Sequence, residues 1–161
     1  MTRAFVGIGS NLDDPAAQVH RAIQALGAIA GSSCVAASRC YRNPPMGPAD
    51  QPDYVNAVAA LDTTLPPHDL LAALQALEAE AGRERNGRRW GPRPLDLDLL
   101  LHGESRIDTA DLTVPHPGLT VRPFVLVPLA EIEPDRWVPG AGRVADLAAK
   151  VDDSGLMAEE D

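Results

Sequence analysis

Lysine is almost missing from this 161-residue chain, in which Lys150 is the single example. A Walker A phosphate loop needs a lysine directly after its glycines, so the sequence excludes that kind of nucleotide site. Any nucleoside triphosphate bound here must be held by arginine and a metal ion instead. Cysteine is almost as rare, with only Cys34 and Cys40. Within one extended strand these two would lie about 20 Å apart, which is too far for a disulfide, so we expect two reduced thiols.

Long apolar runs and positive net charge are missing too. No segment stays apolar over the roughly 20 residues that a membrane helix requires, and the formal net charge is −9. An acidic domain binds nucleic acid and anionic membranes poorly, so we expect neither as a partner. The N-terminus lacks the apolar core and cleavage site of a secretory signal. We therefore expect a cytoplasmic monomer with a single domain over residues 1–161, whose tail from about residue 152 is flexible.

Hydrophobic periodicity predicts strands and helices in a definite order. Apolar runs and period-two alternation predict strands at 4–8, 33–42, 54–61 and 95–101, and apolar stripes predict helices at 15–31 and 67–81. Asp14 is predicted to cap the first helix, Pro15 to open it and Gly31 to close it. The order βαββαβ predicts an α+β fold with a ferredoxin-like core, in which helices pack on a mostly antiparallel sheet. The C-terminal additions are predicted as one short strand at 107–114, broken helical turns over 115–132 and a small helix at 144–151.

The segment GIGSNL, which follows the first predicted strand, has two interpretations. It suggests a phosphate-binding glycine loop, but the pattern GxGxxG requires a glycine where Leu12 stands. We favour the second interpretation, a tight turn from strand to helix.

The stretch RRWGPRPLDLDLLL carries the strongest chemical signal. Side chains alternate in a strand, so Asp96 and Asp98 share one face about 7 Å apart, and the leucines at 95, 97, 99 and 101 are predicted to share the other. Two converging carboxylates suit Mg²⁺, although an isolated Asp-x-Asp is more often a solvated acidic surface. The segment before the strand favours the metal, because guanidinium groups bind phosphate bidentately. Together the two segments indicate a triphosphate site, with Trp90 and these arginines: Arg83, Arg85, Arg88, Arg89 and Arg93.

Polar and aromatic residues elsewhere could complete such a site. On the third predicted strand, Tyr54, Asn56 and Val58 share one face, so a polar group stands where a core would carry none. On the second predicted helix, Gln75 and Glu78 face either solvent or a ligand, and solvent is favoured on the sequence alone. The irregular segment PHPGLTVRPF offers three further candidates, each of which would be structural if taken singly: His116, Arg122 and Phe124.

Five motifs occur in an order that resembles a known family. They are GSNL, RNPPMGP, QPDYVNAV, GRERNGRRWGPRPLDLDLL and PHPGLTVRPFVLVPL. The chain resembles the 6-hydroxymethyl-7,8-dihydropterin pyrophosphokinases, folate-pathway enzymes, from its first residue to about residue 134. The resemblance implies transfer of the diphosphate of MgATP to the hydroxymethyl group of the pterin, with release of AMP. The expected partners are therefore two small molecules, ATP and 6-hydroxymethyl-7,8-dihydropterin.

The resemblance also implies roles for individual residues. Asp96 and Asp98 would hold two Mg²⁺ ions, and Arg83 and Arg93 would act with them in catalysis. The pterin contacts would come from Asn43, Pro44, Pro45, Met46, Gly47, Tyr54, Asn56, Trp90 and Phe124. The ATP contacts would come from Gln75, Glu78, Arg85, Trp90, Arg93, Leu99, Thr113, His116 and Arg122. Asn43 and Asp111 depart from the family pattern, since threonine is usual at the first position and a basic residue occurs in some relatives at the second.

Two other functions are compatible with parts of this pattern. A nucleotidyltransferase could use the aspartate pair to attach AMP to a substrate. A small nucleic-acid-binding module could use the arginines and Trp90, although the net charge of −9 opposes it. The products formed from ATP distinguish the first alternative, and a salt-dependent shift of random oligonucleotides would indicate the second.

Overall fold

The computed structural model describes residues 1–11, 14–43, 53–83 and 95–159. The helices in this part of the chain are α1 Pro15–Gly27, α2 Pro67–Arg83, α3 Pro123–Ile132 and α4 Val144–Ala148. The strands are β1 Thr2–Ser10, β2 Ser32–Ala37, β3 Tyr41–Asn43, β4 Tyr54–Thr63, β5 Asp96–His102, β6 Ile107–Asp108, β7 Thr113–Val114, β8 Trp137–Val138, β9 Gly142–Arg143 and β10 Met157–Ala158.

The long strands form one antiparallel sheet. Strand β1 lies between β4 and β5 and pairs with both. Strands β2 and β3 pair with the far edge of β4, and β10 pairs with β3. The two hairpins, β6 with β7 and β8 with β9, form separate small sheets. The predicted α+β class, with helices on a mostly antiparallel sheet, is confirmed.

The sheet separates two hydrophobic clusters, because alternate side chains of each strand point to opposite faces. The first cluster joins one face of the sheet to α1 and α2, through residues such as Val6, Leu26 and Leu74. The second cluster joins the other face to α3 and α4, through residues such as Phe5 and Leu126. The alternation predicted for β4 is confirmed, since its odd-numbered apolar residues from 55 to 61 lie in the first cluster and Val58 lies in the second.

The sequence predicts that the leucines at 95, 97, 99 and 101 share one face of β5, but in the structure they do not. The pairing of β1 with β5 shifts by one residue between Phe5 and Val6, which leaves Leu100 as the extra residue of a bulge. Residues 95, 97 and 99 lie in the first cluster, whereas Leu100 and Leu101 lie in the second. The prediction for Leu101 was wrong because a bulge reverses the alternation beyond it.

The predicted strand at 33–42 is two strands, β2 and β3. Ser38 lies between these two strands, and its side chain takes the place of a backbone acceptor. Its Oγ accepts a hydrogen bond from Val58 N at 3.0 Å and donates one to Arg39 O at 2.7 Å. Helix α1 is shorter than predicted and ends at Gly27, after which the chain turns through Ala28. Neither Cys34 nor Cys40 forms a disulfide, as expected.

The C-terminal third is more regular than its prolines suggested. The single strand predicted at 107–114 is a hairpin of β6 and β7, closed by Thr109 N donating to Leu112 O at 2.9 Å. Broken turns were predicted over 115–132, but residues 123–132 form α3 with Pro128 inside it. Burial of Val125 and Leu129 against the sheet stabilises this helix despite the missing proline N–H. Helix α4 ends at Ala148, before the predicted residue 151.

Within the predicted flexible tail, β10 pairs with β3, and Glu159 N donates to Cys40 O at 2.8 Å. Among the described residues, no helix combines the length and the apolar character that a membrane span requires.

Candidate active site

A cavity of about 310 Å³ opens on the face of the sheet that carries α3. It lies where this face changes from apolar to polar, because β1, β4 and β5 replace core side chains there by glycine, asparagine and aspartate. Seven of its lining residues were predicted from the sequence: Asn43, Tyr54, Asn56, Asp96, Asp98, Arg122 and Phe124. The other five are Gly7, Ile8, Gly9, Ala57 and Val125.

The floor of the cavity is the face of β1 at Gly7 and Gly9, where the strand presents no side chain; the side chain of Ile8 packs in the first hydrophobic cluster on the other face. Gly7 is paired with Asp98 and Gly9 with Asp96, so each carboxylate stands beside a bare glycine. On the other side, Gly9 is paired with Asn56. A Cβ atom at Gly9 would lie only 2.8 Å from Asn56 Oδ1. Glycine is therefore required at residue 9 for the amide of Asn56 to keep its place.

Asp96 and Asp98 point into the cavity from alternate positions of β5, as the sequence predicted. Asp96 is half-buried, and the side chain of Asp98 is 51% exposed. No group of three or more candidate metal ligands occurs in the described ranges. Mg²⁺ commonly takes one or two carboxylates and completes its octahedron with water and substrate phosphates. Two aspartates beside an open cavity fit that ion.

Two asparagines on neighbouring strands form one polar edge of the cavity. Asn56 on β4 is 8% exposed and donates from Nδ2 to Oδ1 of Asn43 on β3, at 2.6 Å. This bond orients the Asn56 amide, because its oxygen must then point away from Asn43. A fixed amide oxygen suits recognition of N–H groups on a planar heterocycle. Tyr54 lines the cavity two residues before Asn56.

The opposite wall comes from the start of α3. Arg122 precedes the helix, and its Cζ lies 5.8 Å from the centre of the Phe124 ring, within the range of a cation–π contact. Phe124 packs against the second hydrophobic cluster and also lines the cavity. Gly118 makes room for Arg122, because a Cβ atom there would lie 2.7 Å from Arg122 Cζ. An aromatic surface and a guanidinium thus lie side by side.

His116 connects this wall to the aspartates. Its Nδ1 accepts a hydrogen bond from Gly118 N at 3.0 Å, so the neutral ring carries its proton on Nε2. That nitrogen lies 4.0 Å from Asp98 Oδ2. Burial lowers the pKa of His116 below its ordinary value; Asp98 acts to raise it and Arg122 to lower it. The structure therefore favours a neutral imidazole whose N–H faces the aspartate.

His116 is not among the lining residues of the cavity, and four other predicted ATP contacts also lie outside the lining. Glu78 accepts a hydrogen bond from Leu97 N at 2.8 Å, which fixes β5 between the two aspartates. Gln75 is exposed on α2, Thr113 is half-buried on β7, and Leu99 is buried in the first hydrophobic cluster. Asp111, where a basic residue occurs in some relatives, has an Oδ1 atom 3.3 Å from His68 Nε2.

The remaining site predictions fall outside the described residues. They are Pro44, Pro45, Met46, Gly47, Arg85, Trp90, Arg93 and the side chain of Arg83. Within the described part of the chain, Gly7, Gly9 and Gly118 were not predicted as site residues. For Gly7 and Gly9 the available signal was glycine at alternate positions of a strand, which indicates close approach of another group to the backbone; Gly118 lies outside any strand and offered no such signal.

Comparisons with known proteins agree on one family. The family model described as 7,8-dihydro-6-hydroxymethylpterin-pyrophosphokinase (HPPK) matches residues 5–134. A Pseudomonas aeruginosa protein named 2-amino-4-hydroxy-6-hydroxymethyldihydropteridine pyrophosphokinase is 48% identical over 96% of this chain and 94% of its own length. A Haemophilus influenzae protein of the same name is 44% identical over 98% of each chain.

Solved structures support the fold. A variant Plasmodium falciparum HPPK-DHPS crystallised with STZ-DHP has a TM-score of 0.72 and 12% sequence identity, over 92% of this chain. The present chain spans only 45% of that longer protein.

Proposed function

Because the chain belongs to the 7,8-dihydro-6-hydroxymethylpterin-pyrophosphokinase family, we infer that it transfers the diphosphate of ATP to 6-hydroxymethyl-7,8-dihydropterin. The hydroxymethyl oxygen attacks the β-phosphorus of ATP and loses its proton. The bond from that phosphorus to the oxygen of the α-phosphate breaks, and AMP leaves. The observation that carries this proposal is the convergence of two aspartates, an oriented asparagine pair and an aromatic wall around one cavity.

The pterin is assigned to the part of the cavity between β4 and α3. Tyr54 and Phe124 offer aromatic surfaces for the flat ring, and such contacts contribute about 0.5–1.5 kcal/mol beyond buried area. The amide of Asn56, held by Asn43, would bond the polar edge of the ring. This assignment places the reactive hydroxymethyl group toward β5, where Asp96 and Asp98 lie.

The triphosphate is assigned to the β5 side of the cavity. Asp96 and Asp98 would hold Mg²⁺, with two ions expected, and bound Mg²⁺ would neutralise phosphate charge and orient the oxygens for in-line transfer. Arg122 would bind phosphate oxygens, for which its planar fork is suited. The N–H of neutral His116 would serve as a donor. Arg83 and Arg93 are proposed on the resemblance alone.

The sheet core is proposed to be ferredoxin-like. The order β5-β1-β4, with β2 and β3 next to β4 and helices between β1 and β2 and between β4 and β5, supports this assignment. The cytoplasmic location, the monomeric state and the absence of nucleic-acid and membrane partners stay predictions from the sequence.

The test is a product analysis. The protein is incubated with MgATP and 6-hydroxymethyl-7,8-dihydropterin, and the products are separated by chromatography and mass. We expect diphosphorylated pterin and AMP in equal amounts, and no turnover when Mg²⁺ is chelated. Pyrophosphate together with an AMP-modified pterin would instead identify a nucleotidyltransferase.

The Asp98→Asn variant tests the assignment of Asp98 as a metal ligand. It keeps the size of a half-exposed side chain but loses a negative charge that Mg²⁺ requires, so we expect turnover to fall by at least about 10²-fold with the fold intact. Near-normal turnover of this variant at saturating Mg²⁺ would refute the role of Asp98 as a metal ligand.

A further inference from the structure

Strand β3, which carries Asn43, is short and is paired along both of its edges. It has three residues and pairs with β4 on one side, placing Tyr41 opposite Asn56 and Asn43 opposite Tyr54. Its other side would be an exposed sheet edge, but β10 covers it, with Met157 opposite Arg42 and Ala158 opposite Tyr41. The position of Asn43 therefore depends on contacts at both edges.

The segment 152–159, which we call the C-terminal strap, is fastened to β3 at its far end. Glu159 N donates to Cys40 O at 2.8 Å, directly before β3. The Glu159 carboxylate also accepts a hydrogen bond from Arg42 Nε, and these side chains are 23% and 41% exposed. Glu159 thus binds both the backbone of Cys40, next to β3, and the side chain of Arg42 within β3.

The strap also borders the candidate active site. A second cavity, of about 480 Å³, lies between its residues 152–156 and the start of α3. Asn43, Arg122 and Phe124 line this cavity as well as the first one. The same strap therefore supports the asparagine edge of the site and faces the segment that carries the aromatic wall.

We propose that the C-terminal strap is a positioning element for the pterin, which acts through Glu159, β3 and Asn43 on the orientation of the Asn56 amide. Glu159 touches no substrate in this assignment. Its effect is carried by the register of β3, which places Asn43 Oδ1 within 2.6 Å of Asn56 Nδ2. The inference rests on the proposed function, since it requires that Asn56 bind the pterin.

The experiment uses two substitutions of Glu159 in the full-length chain. Proline at residue 159 removes both the N–H donated to Cys40 and the carboxylate, whereas Glu159→Gln removes only the charge. We expect Glu159→Pro to raise the Kd for 6-hydroxymethyl-7,8-dihydropterin about fivefold or more, the size of one lost hydrogen bond. We expect a smaller rise for Glu159→Gln. The Kd of a non-hydrolysable ATP analogue should stay within about twofold, since Asp96 and Asp98 lie on β5, at the opposite edge of the sheet from β3 and β10.

A charge exchange separates positioning from a loss of stability. Arg42→Glu and Glu159→Arg should each weaken pterin binding, and the double variant should restore it, because the pair is re-formed with opposite signs. Arg143→Gln is the matched control. Arg143 is 45% exposed and bridges Asp135 and Asp146 away from the cavity, so its loss should leave both affinities unchanged.

The outcomes distinguish this inference from the proposed function. If Asn56→Ala loses pterin binding while Glu159→Pro binds both ligands like the wild type, the strap has no positioning role. Equal losses for pterin and ATP analogue in the Glu159 variants, together with a lowered Tm, would also overturn it. If Asn56→Ala itself binds pterin normally, the pterin assignment fails, and the role of the strap fails with it.

Discussion

Gly9→Ala is the substitution whose effect on the site follows most directly from distances. The added methyl carbon would lie 2.8 Å from Asn56 Oδ1. Since nonbonded carbon and oxygen atoms settle at about 3.4 Å or more, the amide must move by roughly 0.6 Å. Asn56 is almost fully buried and held at 2.6 Å by Asn43, so the movement has to break or distort that hydrogen bond. The amide then no longer presents a fixed edge to the pterin.

The expected magnitude is that of a buried polar partner lost from a ligand. Such a loss costs about 1–3 kcal/mol, which corresponds to a Kd about 5 to 150 times higher for the pterin. The affinity for an ATP analogue should change by less than about twofold, because the atoms nearest to the added methyl carbon belong to Asn56 and Val55 and not to the paired Asp96. Calorimetric titration of each ligand, with thermal unfolding of the same samples, measures both effects.

Gly27→Ala is the control for this experiment. It makes the same change at the exposed last residue of α1. There the atom nearest to an added Cβ is Cys34 Cβ at 3.5 Å, which is an ordinary van der Waals contact. We expect its pterin Kd to equal that of the wild type. If Gly9→Ala also binds the pterin normally and remains folded, Asn56 does not contribute a fixed hydrogen bond to the pterin.

Three other predictions concern neighbouring parts of the site. Gly118→Ala should displace Arg122 and raise the KM for ATP about tenfold, as expected for one lost charge-assisted hydrogen bond, whereas an unchanged KM would remove Arg122 from the ATP site. Glu78→Ala should lower the Tm by several degrees, since a buried β5 N–H loses its acceptor at a cost of about 1–3 kcal/mol; Glu78→Gln keeps an acceptor and should lose less. Burial and the bond to Glu131 raise the pKa of Tyr41 above its ordinary 10.0, so its contribution to the free energy of unfolding is fully present below that pH and is lost as pH rises toward the folded-state pKa. Tyr41→Phe should flatten that part of a stability–pH profile, and an unchanged slope would contradict the assignment.

The elements that the sequence predicted well are those whose burial pattern repeats. Helices α1 and α2 have apolar stripes that extend over several turns, and β4 alternates over several residue pairs. Their hydrophobic periodicity is therefore sufficient to assign them. The shared face of Asp96 and Asp98 followed from the same period. The bulge at Leu100 was not predictable, because it depends on how β5 fits β1 rather than on its own residues.

Strand β3 was predicted only as the end of one strand over 33–42, and β10 and the role of the glycines were not predicted, for a different reason. Strands β3 and β10 have three and two residues, too few to show a period, and each depends on a partner far along the chain. Gly9 and Gly118 contribute space, which a sequence does not display until the side chains that fill it are known. The prolines suggested broken turns for α3, and only its burial against the sheet explains why the helix persists.

The glycine floor on β1 has a consequence for inhibitors and resistance. A compound resting on Gly7 and Gly9 would contact main-chain atoms, which a point mutation cannot delete. The mutations open to the chain at these positions can only add bulk, and at Gly9 the smallest addition already collides with Asn56. A variant that excludes the compound in this way would also disturb the amide proposed to hold the natural substrate. Ligands designed against the floor should therefore meet fewer escape mutations that preserve activity than ligands designed against the side-chain walls.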